Sequence, residues 1–543
     1  MPMKSISTLT LVFAIGFVQA QVRNHTQVYV KPGTEVHVLG GFNNAVGSSS
    51  LTLDEEALLY VGGDLNNNGT FTMENDASLL RGEGTADAGS GTFIVKRQGS
   101  SGSVYNYWGT PVAASGSVPG SSSYAYNESL STQDPNDDNN PDPDPGWSSY
   151  NGNMNPGEGY AGWSAGLVSY TDNQVNNGDV NIGMFIDDYE AVPTPGVTGT
   201  PFNLVGNPYP SGLNCSELVT DNPGIHGSLY FWVDDATQGS GYSAADYAIW
   251  NFFGTIPSTN SANGSPVPNG VIKTGQGFLV RNGNIGTGIP SLAFRNDQRV
   301  ANTASNAFYR SNADDSKLWL SVNGNGEEFH SQILVGTTED ATHGEDLLYD
   351  AVRLPVNTGA WLAAVNQQSK YGIMAFPPPA IEETIPLELF IGQSGEYTFD
   401  ADEMIGFQGM DVFLTDTDPV HGFSIELEEG TTVPVTLLSG NYENRFFLNF
   451  VPSSLTVGID ENDELNMNAW AFAEMLNVTV NRELNGTSAL ELYDMSGRLI
   501  LSETELMFEN NRTTVSMEGV STGTYIVRVT NADVVLSQKV LKR

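Results

Sequence analysis

Apolar and polar positions along this chain alternate in short runs, the period of half-buried strands rather than of helices. The runs are rich in aromatic and β-branched residues and are bounded by Gly, Pro and Asn. Tyr230-Phe231-Trp232, Ala248-Ile249-Trp250-Asn251-Phe252-Phe253 and Gly275-Gln276-Gly277-Phe278-Leu279-Val280 are of this kind. The pattern predicts an all-β, multidomain chain. Changes of texture divide it into a repeat region over residues 21–104, a β-rich module over 105–310, a β-sandwich over 311–451, a polar and acidic linker over 452–466 and a last β-domain over 467–543.

The first region repeats. Gly40-Gly41-Phe42-Asn43-Asn44 recurs as Gly62-Gly63-Asp64-Leu65-Asn66-Asn67 and more weakly as Arg81-Gly82, while Leu58-Leu59 and Leu79-Leu80 occupy matching places. A period of about twenty residues, with short strands and Gly/Asn corners, predicts rungs of a β-solenoid. Asn and Gly both tolerate the left-handed conformation that corners need. A small antiparallel sheet is the competing reading. In the 311–451 region, Leu318 to Val322, Pro386 to Phe390, Gly395 to Phe399, Val412 to Asp416 and Arg445 to Phe450 read as strands of an antiparallel sandwich.

The last region alternates in three runs. Leu490 to Ile500 turns at Ser496-Gly497, Ser521-Thr522-Gly523 precedes Thr524 to Val529, and Gln538 to Arg543 closes the sequence. Gly accepts φ > 0 without steric cost, so both turns predict tight connections. The order Tyr493-Asp494-x-x-Gly497-Arg498, then Gly523-x-Tyr525, then Lys539-Val540-x-Lys542 resembles the type A C-terminal sorting domain of type IX secretion. Family members usually open with a Tyr-Pro-Asn-Pro turn. Ala471 to Val480 has no proline, and Leu476 to Val480 supplies the first strand without that signature. The resemblance implies an Ig-like β-sandwich, passage through the outer-membrane translocon, cleavage by a sortase-like peptidase and attachment to surface lipopolysaccharide or release. Gly497, Arg498, Gly523, Tyr525 and Lys539 would belong to the recognised signal.

The module over 105–310 has its own landmarks: Trp108-Gly109-Thr110-Pro111, Gly157-x-Gly159-Tyr160, Asn176-Asn177-Gly178-Asp179-Val180, Leu204-Val205-Gly206-Asn207-Pro208-Tyr209-Pro210 and Gly275-Gln276-Gly277-Phe278. They are similar to a module of large surface proteins of the same secretion system, for which the resemblance implies no enzymatic activity.

Composition narrows the function. The formal net charge is −41, with 22 Lys and Arg against 63 Asp and Glu. Nucleic-acid binding and docking on anionic lipid both need the opposite sign. Cys215 is the single cysteine, so no intramolecular disulfide forms, and burial as a small hydrophobe is its default role. Met1 to Ala20 reads as a signal peptide, with Lys4 ahead of the apolar Leu9 to Val18 and Val18-Gln19-Ala20 at the cleavage site, which predicts a mature start at Gln21. No later apolar run is long enough to span a bilayer.

Candidate chemistry is sparse. Gly162-Trp163-Ser164-Ala165-Gly166 matches a nucleophile elbow, but Leu167-Val168-Ser169-Tyr170 follows with strand character where that elbow needs a helix. Gly157 to Gly162 matches a dinucleotide fingerprint without its βαβ setting. No two of the six histidines share a metal-ligand spacing. Asp134, Asp137, Asp138, Asp142 and Asp144 form a Pro-interrupted acidic stretch whose carboxylates suit calcium, although the spacing is not that of an EF-hand. No other cofactor is expected. Tyr105, Tyr107, Trp108, Trp147, Tyr150, Tyr160 and Trp163 cluster in one stretch, either as core filling or as flat faces for an apolar or sugar surface. The expected function is that of a secreted, non-catalytic, adhesin-like or matrix protein at the outer cell surface or in the medium. A glycan-binding surface protein using residues 105–163 is the alternative, and an exported hydrolase the third reading, because glycosidase carboxylates carry no fixed spacing.

Overall fold

A computed structural model describes residues 21–100, 104–113, 116–126, 147–163, 166–184, 202–233, 247–258, 266–282, 291–304, 315–324, 329–353, 360–367, 369–453, 467–472, 474–480, 484, 486–495, 497–508, 511–531 and 534–542. The chain divides into two compact units. The first holds Met1–Pro378, Leu387–Gly406 and Glu429–Glu443, and the second holds Pro379–Pro386, Phe407–Glu428 and Asn444–Arg543. The structure is all-β, as the alternation predicts.

The first unit opens with a stack of rungs whose strands pair in parallel along three faces. Rung one is β1 (Val22–Asn24), β2 (Gln27–Val30) and β3 (Glu35–Val38); rung two is β4 (Phe42–Asn44), β5 (Ser50–Leu53) and β6 (Leu58–Val61). Rung three is β7 (Leu65–Asn67), β8 (Thr70–Met73) and β9 (Ser78–Arg81), and a partial fourth is β10 (Asp87–Ala88) and β11 (Thr92–Gln98). Phe42 pairs with Leu65 and Asn44 with Asn67, which confirms the Phe-Asn-Asn/Leu-Asn-Asn repeat and the solenoid. The third face runs one residue off the sequence expectation: Leu59 stacks on Leu79, but Leu58 stacks on Ser78. Burial sets this register, because Leu59 and Leu79 face the core while the next position, Tyr60 above Leu80, is half-exposed.

A buried asparagine ladder runs through the first face. The Asn24 amide donates to Asn44 Oδ1 (3.0 Å), Asn44 donates to Asn67 Oδ1 (2.8 Å), and Asn67 donates to the Thr92 carbonyl (3.3 Å). Each amide thus satisfies the next, which removes the cost of burying it. Inside, Phe71 stacks on Phe93 at 5.3 Å. The rungs approach closely where glycine allows it: a Cβ on Gly82 would lie 2.4 Å from the Gly62 carbonyl oxygen. The second-to-third-face corners hold Gly33, Glu56 and Asp76 at φ near +60°, so two of the three left-handed positions are not the Gly or Asn expected.

At the far end of the stack, β11 and β9 are covered. The antiparallel β-strand Leu167–Asp172 pairs with β11. On β9, the Leu79 N–H donates to the Pro210 carbonyl (2.8 Å), the Asn302 amide to the Ala77 carbonyl (2.9 Å) and the Asn296 amide to the Arg81 carbonyl (3.0 Å). Paired edges cannot template aggregation.

The rest of the first unit is antiparallel for the most part. Phe202–Gly206, Gly277–Asn282, Ile225–Trp232, Tyr247–Trp250 and Thr255–Ile256 form one sheet in that order. The helix Cys215–Asp221 lies beside it, capped by the Asn214 side chain, with Cys215 buried at its first position. Beyond, Ser316–Gly324 pairs antiparallel with Phe329–Thr337 and Gly395–Ile405. Phe329–Thr337 pairs parallel with Ser369–Phe376, so the sandwich expected to be antiparallel throughout is mixed. The long connection between those two strands lets the chain return in the same direction.

In the second unit Met410–Asp416 pairs with Phe423–Glu426 and Gly440–Pro452. The C-terminal sandwich has one sheet of Met467–Phe472, Met475–Val480 and Arg512–Ser516, and another ordered Leu499–Leu506, Ser488–Asp494, Gly523–Asn531, Val534–Lys542. Leu476, Val478, Leu490, Leu492, Val527 and Val529 fill its core. Among the described residues, no helix is long and apolar enough to cross a membrane.

Candidate functional site: the C-terminal sandwich and an aromatic sheet

The motif residues of the C-terminal sandwich build its turns. Asp494 closes the hairpin before Leu499–Leu506: its carboxylate accepts from the Arg498 backbone N–H (3.0 Å) and from Arg498 Nε (3.1 Å). The Gly497 N–H donates to the Asp494 carbonyl (2.9 Å) with φ at +85°, the left-handed position a side chain resists. The spacing Asp-x-x-Gly-Arg is therefore one self-bonded turn. Tyr525 is buried, and its hydroxyl donates to the Ser521 carbonyl (2.6 Å), which ties the preceding turn to the strand. Gly523 pairs with Lys542 at the opening of that strand. Lys539 lies exposed across from Ile526.

Lys542 holds the sandwich shut, although the motif points first to Lys539. Its buried amine donates to Glu474 Oε2 (2.5 Å) and to the carbonyls of Met517 and Val520 (both 2.8 Å). A terminal Lys reads in the sequence as solvated, and only the preceding alternation hints otherwise, since it falls two residues after the inward Val540.

The aromatic stretch separates into two faces of one sheet, formed by β12 (Tyr105–Trp108), β13 (Ser121–Tyr126), β14 (Trp147–Ser149) and β15 (Tyr160–Trp163). Trp108 and Tyr160 are core residues, and Tyr150 packs on Tyr160 at 4.9 Å. Burial pushes the Tyr160 hydroxyl far above its ordinary range. Under Trp108 lies the Arg97 guanidinium, 4.8 Å from the ring centre, and its burial lowers the guanidinium pKa.

The other face gathers half-buried rings. Tyr105 meets Trp163 edge-on at 5.0 Å and Tyr124 at 5.8 Å, and Trp147 meets Tyr126 at 5.1 Å. Two rings arrive from far along the chain: Trp232 stacks on Tyr107 at 5.4 Å, and the Tyr247 hydroxyl lies 2.7 Å from that of Tyr107. The Trp232 indole N–H donates to the Tyr105 carbonyl (3.1 Å). Such T-shaped and offset contacts are the favourable ring geometries. Trp147, Trp163, Trp232 and Tyr247 all keep part of their surface in solvent.

The remaining candidates are structural or lie elsewhere. A Cβ on Gly162 would fall 2.0 Å from the Pro119 carbonyl oxygen, so this glycine serves strand packing. Ser164 lies outside the described residues, and the next element is the strand Leu167–Asp172, where an elbow needs a helix. Asp134, Asp137, Asp138, Asp142 and Asp144 also lie outside the described residues, as does Met1 to Ala20. His226 is buried with Glu345 at 3.5 Å, and burial lowers its pKa. Among the described residues no three His, Cys, Asp or Glu side chains converge on a point.

Comparison with known proteins adds two matches and one distant likeness. A family model described as "Domain of unknown function (DUF8693)" matches residues 27–450, and one described as "Secretion system C-terminal sorting domain" matches residues 472–543. No curated protein matches the sequence. Among solved structures, the chain is similar at 8% identity and a TM-score of 0.15 to one titled "Biofilm associated protein - BSP domain", with 82% of this chain and 92% of that chain covered.

Proposed function

We propose, for a chain that belongs to the family described as Domain of unknown function (DUF8693) and carries a secretion-system sorting domain over residues 472–543, the role of a non-catalytic contact protein of the outer cell surface. The sorting domain directs the chain through the type IX secretion machinery to the surface or the medium. Removal of the domain by a sortase-like peptidase and anchoring on lipopolysaccharide complete the reading.

The half-buried ring face of Tyr105, Tyr124, Tyr126, Trp147, Trp163 and Trp232 carries the contact role. Strands β12 to β15 contain no charged residue, in a chain of net charge −41. Rigid rings give large contact area at low entropic cost. The packing role of Gly162 and the strand after residue 166 count against a nucleophile elbow. The test is adhesion of the purified protein to cell and polymer surfaces. A Trp147→Ala/Trp163→Ala/Trp232→Ala triple variant is expected to lose about tenfold in retention, the effect of removing central aromatic anchors. Retention at the parental level sinks the contact role, and turnover in a polysaccharide or peptide substrate screen sinks the non-catalytic one.

A second reading has the same face bind glycans. It is favoured by the Tyr107–Tyr247 hydroxyl pair, which sets polar groups among the rings as sugar recognition requires. Selective hits on a glycan array, lost in the triple variant, establish it; a uniformly blank array removes it.

A further inference from the structure

We propose that the outer face of the sheet Leu499–Leu506, Ser488–Asp494, Gly523–Asn531, Val534–Lys542 is the docking face of the sorting domain, and that its partner is an apolar, acid-rimmed protein surface of the export machinery. The proposal rests on the sorting reading and says which side of the domain is read.

The two outer faces of the sandwich differ. On the three-stranded sheet, Trp470 packs on Phe413 at 4.8 Å, and the Arg512 guanidinium lies over both rings at 4.9 and 5.6 Å. That side is already occupied within its own unit. On the four-stranded sheet, one cross-strand row runs Leu499, Tyr493, Ile526, Lys539. Leu499 is 48% exposed, Ile526 38%, and Val535 and Leu541 on the same side 51% and 49%. Strand alternation puts Leu490, Leu492, Val527 and Val529 in the core, so the exposed Leu499, Ile526, Val535 and Leu541 are additional to the core set and stand among the polar Glu491, Arg528, Ser537 and Lys539. Exposed apolar side chains grouped across neighbouring strands with a polar surround mark an interaction face.

Charge identifies the partner. Seven of the chain's 22 Lys and Arg lie in residues 467–543, against nine of its 63 Asp and Glu, so this domain is nearly neutral on a strongly acidic chain. Two of the cations, Arg528 and Lys539, are exposed on this face. Arg528 faces Glu491 and Ser537 in the row beside Ile526. Among the described residues, Lys539 makes no ion pair. The face continues at its edge into a groove of 520 Å³, where Lys539 and Leu541 oppose Ile381, Glu382 and Trp470. An acid-rimmed apolar ridge matches the row through Arg528 and Lys539, and its apolar crest matches the groove. The acidic body keeps copies of this chain apart by like charge, which favours the machinery over a second copy as occupant.

The experiment follows export of the full chain in a type IX-competent host, with the periplasmic pool purified and melted. Ile526→Asp/Leu541→Asp and, separately, Arg528→Glu/Lys539→Glu are each expected to cut the surface-delivered fraction about tenfold while the periplasmic protein melts as the parent does. Thr514→Asp, exposed on the other sheet, is expected to export normally. Parental export of the apolar variant overturns the docking face. Parental export of the charge-reversed variant alone overturns the acidic partner. A parent that sediments as a dimer and an apolar variant that sediments as a monomer make the occupant a second copy and overturn the proposal. Deletion of residues 472–543 separates the levels: if that chain also exports normally, the sorting reading itself has failed.

Discussion

The N-terminal solenoid and the C-terminal sandwich are both made of short strands, yet they specify register by different means. In the solenoid, like sits on like: Asn24, Asn44 and Asn67 form one ladder, and Leu51 and Phe71 occupy the same place on successive rungs. Register is written in identity, repeated at each turn. In the sandwich, register is written in alternation, with Tyr525, Val527 and Val529 inward and Ile526 and Arg528 outward, and in two turns, Asp494 to Arg498 and Ser521 to Tyr525. The solenoid carries its buried polar groups along its whole length; the sandwich gathers its main one, Lys542, at one edge. Repetition spreads a defect to both neighbours, whereas a hairpin sandwich confines it.

Substitutions test that difference. The largest effect is expected from Asn44→Leu, which leaves the Asn24 amide and Asn67 Oδ1 without their ladder partner and costs about 3 kcal/mol by chemical denaturation. Lys542→Met removes three charged hydrogen bonds, but at an edge where water reaches Glu474, so about 2 kcal/mol is expected, confined to the sandwich in hydrogen exchange. A loss of protection limited to one rung in Asn44→Leu breaks the comparison. Corner substitutions come next and have opposite signs. Glu56→Gly relieves a left-handed residue and adds about 1 kcal/mol, while Gly497→Ala creates one and costs about 1 kcal/mol, read as shifts in melting temperature.

The smallest effect is a pH slope in the solenoid. Burial pushes the Asp87 carboxyl above the ordinary carboxylate range even beside Arg81. A carboxyl raised in the folded state binds more protons there than in the unfolded chain. Its stabilising contribution is full below the unfolded value of about 3.9 and is lost as pH rises through the folded one. Protection of the fourth rung is therefore expected to fall over that window, and Asp87→Asn to flatten the slope. A rise in protection with pH breaks the assignment.

How much of this was legible depended on how far apart the cooperating residues lie. The rungs were readable because Gly-Gly-Phe-Asn-Asn and Gly-Gly-Asp-Leu-Asn-Asn lie about twenty residues apart, although the shift of Leu58 onto Ser78 needed the packed core to settle it. The sorting turn was readable because Asp494, Gly497 and Arg498 bond to one another. The ring face was only half readable. Tyr105 to Trp163 announced themselves, but Trp232 and Tyr247 join from a different sheet, and no local pattern ties them to Tyr107. The parallel pairing of Phe329–Thr337 with Ser369–Phe376 was hidden for the same reason, since alternation looks alike in either direction. The motif contains Lys542, but its burial was not readable, because its acceptors, Glu474, Met517 and Val520, are far from it in sequence.

The asparagine ladder also makes the solenoid a ruler. Each amide reaches only the rung above, about 4.8 Å away, the spacing of neighbouring strands. A stretch of sequence inserted or removed there fits only if it brings one ladder Asn and one set of three faces with it. The reach of this part of the molecule is therefore quantised: it can be graduated in whole rungs, and fractional lengths are expelled into the corners.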